Sequence, residues 1–407
     1  MLSFDEALNR LLDAAQPPAA RDSVPLTESA GRVLADDLVS RVDVPPLDNS
    51  AMDGYALRAA DVPAPGTRLP VSQRIPAGQV GSPLQAGTAA RIFTGAPVPP
   101  GADAVVMQEN CQAEGDAVVI NHAPRAGDNV RRAGEDIAQG GIILSAGTRL
   151  RPQEVSLAAS AGLPVLPVYP RLRVGVFFTG DELHQPGEPL PPGGIYNSNR
   201  YGLRALLEGL GCLVDDLGTV PDTLEATRAA LRRAATGNDL IITSGGVSVG
   251  EEDHVKPAVE AEGRLDLWSL AIKPGKPLAF GAVRKQEPAG EGRIEAFFVG
   301  LPGNPVSSMV TFMLVVRPFI QRLQGQREVT PRRYRLRADF AVKKAIPRLD
   351  FLRARINEEG GLTLFANQSS GVVTSLCWGD GLALNPPGNV IQSGDLIDFI
   401  PFGELLA

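Results

Sequence analysis

The stretch from Asp239 to Lys256 reads DLIITSGGVSVGEEDHVK and guides the interpretation of the rest of the chain. Its first half contains the apolar run Leu240-Ile241-Ile242, which is typical of a strand buried on both faces of a parallel sheet. The turn that follows is rich in small residues: Ser244, Gly245, Gly246, Ser248 and Gly250. Glycine permits positive φ and close approach of a ligand to the backbone. The stretch predicts either a plain strand-to-helix connection or a loop that presents N–H groups to an anion.

Three more apolar runs lead into polar turns that contain glycine. These turns are Thr179-Gly180-Asp181-Glu182, Lys273-Pro274-Gly275-Lys276-Pro277 and Leu301-Pro302-Gly303-Asn304-Pro305. In an open α/β sheet the loops after the strands gather at one edge, and ligands bind where the strand order reverses. We therefore expect the four loops to converge on one site, which makes a ligand more probable than a simple turn.

The charged residues of these loops indicate the chemistry of that site. Two lysines, Lys273 and Lys276, supply positive charge that suits phosphate or another oxyanion. Four carboxylates accompany them: Asp181, Glu182, Asp222 and Asp253. Carboxylates in the same crevice suit a bridging Mg²⁺ or general acid–base work. Asp222 also precedes a predicted helix over 223–235, so it is either an N-cap or a site residue.

Composition narrows the class of protein. The chain has 407 residues, a formal net charge of −7 and a pI of about 5.2, which argues against a nucleic-acid-binding role because that requires a basic face. Three cysteines, Cys111, Cys212 and Cys377, lack the C-x-x-C spacing and are each expected to be buried and structural. The three histidines are equally scattered, so we expect no zinc site.

Hydropathy favours a cytoplasmic protein. Acidic residues Asp5, Glu6 and Asp13 interrupt the region where a signal peptide would need an apolar core. The longest apolar run, residues 309–316, is far shorter than the roughly 20 residues that span a bilayer. We therefore expect no membrane segment.

Changes in periodicity predict four domains. An N-terminal helical linker domain covers 1–45 and continues over 140–172, where several prolines suggest a linker; a β-rich inserted domain covers 46–139. A central, doubly wound α/β domain covers 173–326. From about residue 332 the period changes to two, which predicts a small antiparallel β-barrel over 327–407. The fold class is thus multidomain, α/β plus β.

Capping signals predict several helices. Ser3 and Glu6 have the spacing of a capping box before an amphipathic helix that ends at Gln16-Pro17-Pro18. Asn197, Ser198 or Asn199 caps a helix that ends before Gly211. Pro305 at N1 begins a helix through Phe319, which leaves free backbone N–H groups at the preceding loop.

Eight motifs of the chain resemble those of the molybdopterin molybdenumtransferase family, which includes the C-terminal domain of gephyrin. They are NSAMDGYA (49–56), TGAPVPPGADAVV (94–106), RAGEDI (132–137), TGDEL (179–183), YNSN (196–199), TSGGVSVGEED (243–253), KPGKP (273–277) and LPGNPVSS (301–308). The motifs occur in family order between residues of about 50 and 320. The combination of TSGGVSVG, KPGKP and LPGNP is highly specific, whereas TGDEL alone is not.

The resemblance implies an elongated homodimer that binds adenylylated molybdopterin, inserts molybdate at the dithiolene and releases AMP with Mg²⁺. It implies that Glu182, Asp222 and Asp253 are catalytic or metal-binding residues. It also implies that Asp53, Thr94 and Asp136 form a second set that reaches the crevice from the other subunit. Expected ligand contacts are Thr94, Thr179, Gly180, Asp181, Ser198, Asn199, Ser244, Gly245, Gly246, Val247, Ser248, Gly250, Lys273, Lys276, Pro302, Gly303, Asn304 and Pro305. A molybdopterin adenylyltransferase is a possible partner.

The chain departs from the family pattern at few positions. Ser269 stands where relatives often have a basic residue, and Asp350 stands where a longer polar residue is commoner. Two other hypotheses compete with the transferase: a gephyrin-like scaffold that binds a partner protein, and a hydrolase of a phosphoanhydride in a nucleotide ligand. The acidic residues argue against a purely structural role.

Overall fold

The computed structural model describes residues 1–246, 254–285 and 294–406. The chain divides into two compact units. The first contains Met1–Asp22, Gly31–Ala35 and Val168–Ala407, and the second contains Ser23–Ala30 and Asp36–Pro167. The first helix therefore groups with the α/β residues rather than with residues 36–45. The finer division into four domains stays a prediction.

A six-stranded sheet forms the centre of the first unit. Across the sheet the strands are Leu213–Val220, Arg173–Thr179, Leu240–Ser244, Glu295–Leu301, Pro277–Arg284 and Gly263–Ser269. The first four are parallel to their neighbours, and the last two run antiparallel. The chain moves outward in one direction from Arg173–Thr179 to Leu213–Val220 and then crosses to the other side at Leu240–Ser244. The strand order thus reverses between the neighbouring strands Arg173–Thr179 and Leu240–Ser244, as predicted for a doubly wound domain.

Helices cover both faces of this sheet, because successive strand residues point to opposite sides. Leu240 and Ile242 belong to one apolar core, whereas Ile241 belongs to the other. The first core packs against helices Phe4–Ala14, Ser198–Gly209, Pro305–Thr311 and Arg317–Leu323, the last two joined by the π-helical turn Phe312–Val316. The second core packs against helices Leu224–Gly237 and Val255–Glu262.

The predicted caps and helix starts are confirmed with one exception. The Ser3 hydroxyl accepts a hydrogen bond from the Glu6 N–H, and the Glu6 carboxylate accepts one from the Ser3 N–H, which completes the capping box. Asn197 caps Ser198–Gly209. Asp222, in contrast, does not cap the next helix, because Thr223 does so through its hydroxyl.

One helix of the described residues, Pro305–Leu323, is long and apolar enough to cross a membrane by length and composition alone. Its most apolar 18-residue window is 89% buried within the structure. A core helix meets the same criterion, and this one packs among Phe280, Phe297 and other residues of the central sheet.

The C-terminal part of the first unit is a small β-domain, as predicted. Its strands are, in order, Ile272–Lys273, Leu349–Ile356, Gly381–Asn385, Leu396–Pro401 and Tyr334–Arg337, with Leu362–Leu364 paired to Leu349–Ile356. An isolated bridge between Ala338 and Leu362 connects the end of Tyr334–Arg337 to Leu362–Leu364, as closure of a small barrel requires. Two short helices, Thr374–Trp378 and Phe402–Leu405, complete it. The first strand, Ile272–Lys273, comes from the α/β part.

The second unit contains the predicted β-rich region. Its main sheet has the order Ala104–Met107, Gly54–Leu57, Ala89–Ile92, Thr67–Ile75, Ala117–Ile120 and Cys111–Glu114. Two strand pairs join Leu38–Val39 to Ile142–Leu144 and Asn49–Ser50 to Val130–Arg131. Helix Pro152–Ser160 starts at a proline, as predicted. Residues Val165–Val168, interpreted from their prolines as a linker, form a strand.

Candidate functional site

A cavity of about 960 Å³ lies at the carboxyl ends of the parallel strands. All four predicted loops contribute to it, so their convergence is confirmed for the described residues. It is lined by Thr179, Gly180, Glu182, Leu183, Ile195, Asn197, Asn199, Asp222, Ser244, Gly245, Gly246, Lys273, Pro274, Gly275, Lys276, Pro277, Pro302, Gly303, Asn304, Pro305, Ser307, Arg348, Gln368, Ser369 and Ser370. Two of the strands that end here, Arg173–Thr179 and Leu240–Ser244, are the pair at which the strand order reverses.

The loop after Arg173–Thr179 places one carboxylate at the cavity. Gly180 has a φ of 143°, and the Glu182 side chain folds back over it, so that a Cβ at position 180 would lie 2.7 Å from Glu182 Oε2. A residue with a Cβ would therefore displace this carboxylate, and the positive φ itself favours glycine. Asp181 and Glu182 are both exposed, but Asp181 is not among the described residues that line the cavity.

Glycine is also required in the loop after Leu240–Ser244. Gly245 and Gly246 have φ angles of 99° and 63°, in the left-handed region. A Cβ at position 246 would lie 2.6 Å from Val255 Cγ2, so the loop packs closely on the next helix. The sequence signal in this stretch therefore has a steric origin. The predicted contacts Val247, Ser248, Gly250 and Asp253 lie outside the described residues.

Asn199 ties two loops of the cavity together. Its Nδ2 donates to Ser244 Oγ at 2.9 Å and to the Gly303 carbonyl at 2.8 Å. The Ser244 hydroxyl in turn donates to the Pro302 carbonyl at 2.9 Å. Ser198, the adjacent predicted contact, is exposed and is not among the described residues that line the cavity. The first turn of Ser198–Gly209 thus positions the LPGNP loop.

The LPGNP loop begins helix Pro305–Thr311, with Asn304 as N-cap and proline at N1, as predicted. The prediction of free N–H groups needs one correction. The Val306 N–H donates to the Ser370 carbonyl at 2.9 Å, so a loop of the C-terminal β-domain takes one of the helix's first donors. This bond holds the loop beside the cavity.

The KPGKP loop supplies two ammonium groups. Gly275 has a φ of 103°, and a Cβ there would overlap Thr311 Oγ1, so the loop lies directly on the helix that follows LPGNP. Lys276 is exposed at the cavity. Lys273 Nζ donates to Asp350 Oδ2 at 3.1 Å.

One wall of the cavity comes from the C-terminal β-domain, and the sequence analysis did not predict it. Arg348, Gln368, Ser369 and Ser370 line the cavity but belong to the C-terminal β-domain, in which the sequence analysis predicted no site residue. The pairing of Lys273 with Asp350 in a parallel register brings this domain to the KPGKP loop. No local pattern signals such a long-range contact. The departure at Asp350 was the available clue, and no role was assigned to it.

A buried arginine supports this wall. Arg353 is fully buried, and its guanidinium donates to Ser375 Oγ at 3.2 Å and to the carbonyls of Phe351 and Ser369 at 3.2 and 3.5 Å. Burial lowers its pKa to about 10, because a low-dielectric interior disfavours the charged form. Gln368 bonds to both the N–H and the carbonyl of Arg353. The loop that contains Ser369 is therefore attached to the barrel core.

The second predicted set of site residues lies in the other unit. Asp53 Oδ1 accepts hydrogen bonds from the Thr94 N–H and hydroxyl, both at 2.8 Å. The bond from the Thr94 backbone is the main cause of a lowered Asp53 pKa, so this carboxylate is ionised at neutral pH. The Asp136 N–H donates to the Val44 carbonyl at 3.0 Å. The pairing of Asp53 with Thr94 joins two loops that composition alone left without function.

Metal-binding groups are sparse in the part of the chain that the structure describes. No cluster of three or more His, Cys, Asp or Glu residues occurs there. Glu182 and Asp222 both line the cavity. A pair of carboxylates suits Mg²⁺, which is usually held by one or two carboxylates together with substrate phosphates.

Sequence profiles of known families match most of the chain. Residues 2–162 match the MoeA N-terminal region (domain I and II), 175–322 match a probable molybdopterin binding domain, and 335–402 match the MoeA C-terminal region (domain IV). Together these matches cover both units described above.

Two curated relatives are similar to the chain along nearly its whole length. The molybdopterin molybdenumtransferase of Haemophilus influenzae is 39% identical over 420 residues and covers 100% of both chains. The molybdopterin molybdenumtransferase of Synechococcus elongatus is 38% identical over 399 residues, which cover 95% of this chain and 96% of that protein.

Solved structures agree. The crystal structure of the molybdopterin biosynthesis moeA protein from Pyrococcus horikoshii matches with a TM-score of 0.84 and 29% identity, over 98% of this chain and 100% of that one. A molybdenum cofactor biosynthesis protein from Pyrococcus furiosus shares the fold, with a TM-score of 0.60 and 19% identity over 98% and 99% of the two chains. The chain belongs to the molybdopterin molybdenumtransferase family.

Proposed function

We propose that the cavity binds adenylylated molybdopterin and molybdate and that the protein releases AMP as molybdenum is inserted. As a member of its family the chain is an enzyme of molybdenum cofactor biosynthesis that inserts molybdenum into molybdopterin. The observation that carries the proposal is the charge distribution of the cavity, where Lys273, Lys276 and Arg348 share one space with Glu182 and Asp222.

The volume of the cavity supports a large ligand. Ligand pockets commonly measure roughly 300–1,000 Å³, and about 960 Å³ is near the upper limit. This space suits a pterin joined to a nucleotide better than it suits molybdate alone. Leu183, Ile195 and four prolines add apolar surface to the charged and polar groups of the lining.

The cationic side of the cavity supports oxyanion binding. Lys273 and Lys276 come from a loop that is held in place by the close contact between Gly275 and Thr311. Arg348 adds a planar guanidinium, which can donate two parallel hydrogen bonds to an oxyanion. We assign phosphate or molybdate binding to these three side chains and to the backbone of residues 302–305.

The carboxylates supply the acid–base part of the proposal. We assign catalytic roles to Glu182, Asp222 and Asp253, the first two of which line the cavity. Glu182 and Asp222 would hold Mg²⁺, together with phosphate oxygens of the substrate. When bound, the ion would offset negative charge on the phosphoanhydride. A carboxylate that does not bind the ion can orient the group that attacks the phosphoanhydride and accept its proton, and AMP leaves as the anhydride bond breaks.

The second set of residues leads us to propose a homodimer with a shared site. Asp53 is ionised and held by Thr94, so it is preorganised for a ligand or a metal. We propose that Asp53, Thr94 and Asp136 of one subunit complete the cavity of its partner. A molybdopterin adenylyltransferase that supplies the substrate is the proposed transient partner, and the cytoplasm is the proposed location.

An assay of AMP release tests the proposed function. Purified protein is incubated with adenylylated molybdopterin and Mg²⁺, with and without molybdate. We expect AMP release that depends on molybdate, and we expect Lys276→Ala to weaken substrate binding at least about tenfold, the equivalent of one charge-assisted hydrogen bond, without lowering the melting temperature.

Two outcomes would contradict the proposal. AMP release at the same rate without molybdate would indicate a phosphoanhydride hydrolase. An equal loss of melting temperature and binding in Lys276→Ala would indicate a structural lysine. Lys256→Ala, outside the residues that line the cavity, is the matched control.

A further inference from the structure

Asp350 is a carboxylate buried at the edge of the cavity, with only 4% of its surface exposed. It lies on the strand Leu349–Ile356 of the C-terminal β-domain, directly opposite Lys273 in the parallel register. Residues opposite one another on neighbouring parallel strands project their side chains to the same side of the sheet. The backbone pairing therefore places the two charges together.

The contacts of the carboxylate are unequal. Asp350 Oδ2 accepts a hydrogen bond from Lys273 Nζ at 3.1 Å, whereas Oδ1 is buried and has no hydrogen-bond partner among the described residues. A buried carboxylate is costly unless a cation and hydrogen bonds compensate it. Lys273 bonds to it directly, whereas Arg353 acts on it through its charge alone. Moving the ammonium away would therefore leave the carboxylate without a hydrogen-bonded cation among the described residues.

The Lys273 ammonium, in contrast, can donate further hydrogen bonds. The Lys273 side chain is 40% exposed and lines the cavity. An ammonium has three donor protons, and the hydrogen bond to Asp350 uses one of them. The other two remain for a ligand in the cavity. One face of the group is thus anchored and the other is presented to substrate.

Anchoring matters because of the neighbouring charges. Lys276 and Arg348 line the same cavity, and like charges repel one another across a shared space. Lysine has a flexible four-carbon side chain, so an unanchored Lys273 would turn toward solvent. The backbone on either side of the contact is fixed as well, because Leu349 N–H donates to the Ala271 carbonyl at 2.8 Å.

We propose that Asp350 is a positioning residue that aims the Lys273 ammonium at the oxyanion of the substrate. It acts through Lys273 and does not itself touch the substrate. The inference rests on the proposed function, in which the cavity is the substrate site.

A double-mutant cycle tests this role. Asp350→Asn keeps the shape of the side chain and removes its charge, and Lys273→Met removes the ammonium while keeping its length. We expect Asp350→Asn to raise the KM for molybdate between about tenfold and a hundredfold, the cost of a small misplacement in a site, with a smaller change in kcat. In the Lys273→Met background the same substitution should have no further effect on KM.

Three outcomes would overturn the role of Asp350. If Asp350→Asn lowers the melting temperature but leaves KM unchanged, the residue is structural. If its effect on KM persists in the Lys273→Met background, it does not act through Lys273. If Lys273→Met itself leaves KM and kcat unchanged, both this inference and the assignment of the cavity fail.

The design separates the two proposals and includes a matched control. Loss of activity in Lys273→Met together with an unchanged KM in Asp350→Asn would remove the positioning role and keep the substrate site. Asp398→Asn makes the same chemical change in the same β-domain, on a half-exposed carboxylate whose closest arginine nitrogen is 3.5 Å away. It should leave the KM for molybdate unchanged.

Discussion

At the scale of single residues, burial decides what a polar side chain does. Arg353 and Asp350 lie on one strand, and both are buried, yet each has a direct link to a loop of the cavity. Neither could be distinguished from a solvated residue in the sequence. Alternation along a strand predicts which face of the sheet a side chain lies on, but not which residues it contacts. The expectation that each cysteine is buried is wrong for Cys377, which is exposed, and is confirmed for Cys212.

The cysteines provide a residue-scale prediction. Burial raises the pKa of the Cys111 thiol to about 11, so only about one thousandth of it is thiolate at pH 8, and the thiolate is the reactive form. We expect a thiol reagent at pH 8 to modify the exposed Cys377 first. Modification of Cys111 should be slow and should accelerate about tenfold per pH unit up to pH 11.

Mass spectrometry of the labelled peptides measures both rates. The Cys377→Ser variant is the control, and it should lose the fast phase alone. Equal rates of labelling at Cys111 and Cys377 would show that the environment of Cys111 is more open than its half-buried position and its contact with the Met107 carbonyl indicate.

At the scale of elements, the site depends on loops held by side chains from helices. Asn199, in the first turn of Ser198–Gly209, donates to both Ser244 and the Gly303 carbonyl. Sequence analysis identified the helix and its cap. It could not identify this cross-link, because Asn199 lies 45 positions from Ser244 and 104 from Gly303, and the three residues meet only when the parallel strands assemble.

We predict that Asn199→Ala destabilises the protein by about 1–3 kcal/mol, since two hydrogen bonds are lost, one to the buried Ser244 hydroxyl and one to the exposed Gly303 carbonyl, each of which contributes roughly 0.5–1.5 kcal/mol. Urea unfolding measures this change in the free energy of unfolding. The exposed neighbour provides the control: Ser198→Ala, in the same turn, should change stability by less than about 0.5 kcal/mol. An Asn199→Ala variant as stable as the parent would show that water replaces the cross-link at no cost.

At the scale of the whole molecule, the proposed sharing of sites between subunits makes the activity of one subunit depend on its partner. The proposed dimer places Lys273 of one subunit and Asp53 of its partner in one site. In a two-fold symmetric dimer, a mixed pair of Lys273→Met and Asp53→Asn subunits contains one doubly altered site and one unaltered site.

Subunit mixing therefore gives a quantitative prediction. Each variant alone should retain only a small, measurable fraction of the parent activity, and random exchange of subunits should raise this to about a quarter of the parent activity, because half of the dimers are mixed and each has one intact site. Mixing Asp53→Asn with Thr94→Ala, both in the β-rich unit, should restore nothing. No recovery in the first mixture would place Asp53 and Lys273 in the same subunit's site or in separate sites.

The sequence by itself determined the class of the fold, the four loops and most of the residues by which these loops line the cavity. These features are local: apolar runs with the period of buried strands, glycines where φ is positive, and caps three residues apart. Resemblance to a family then supplied the chemistry that the charges of Lys273, Lys276 and the carboxylates only suggested.

The tertiary structure alone decided which residues complete the cavity. Arg348 and the loop with Ser369 and Ser370 come from a barrel that follows the α/β residues in the chain, and Asp350 meets Lys273 across a strand pair 77 residues apart. Thr223, not Asp222, caps its helix, which leaves Asp222 to line the cavity. The physical reason is that contacts between distant segments depend on how the sheets pack, and no local periodicity records that packing.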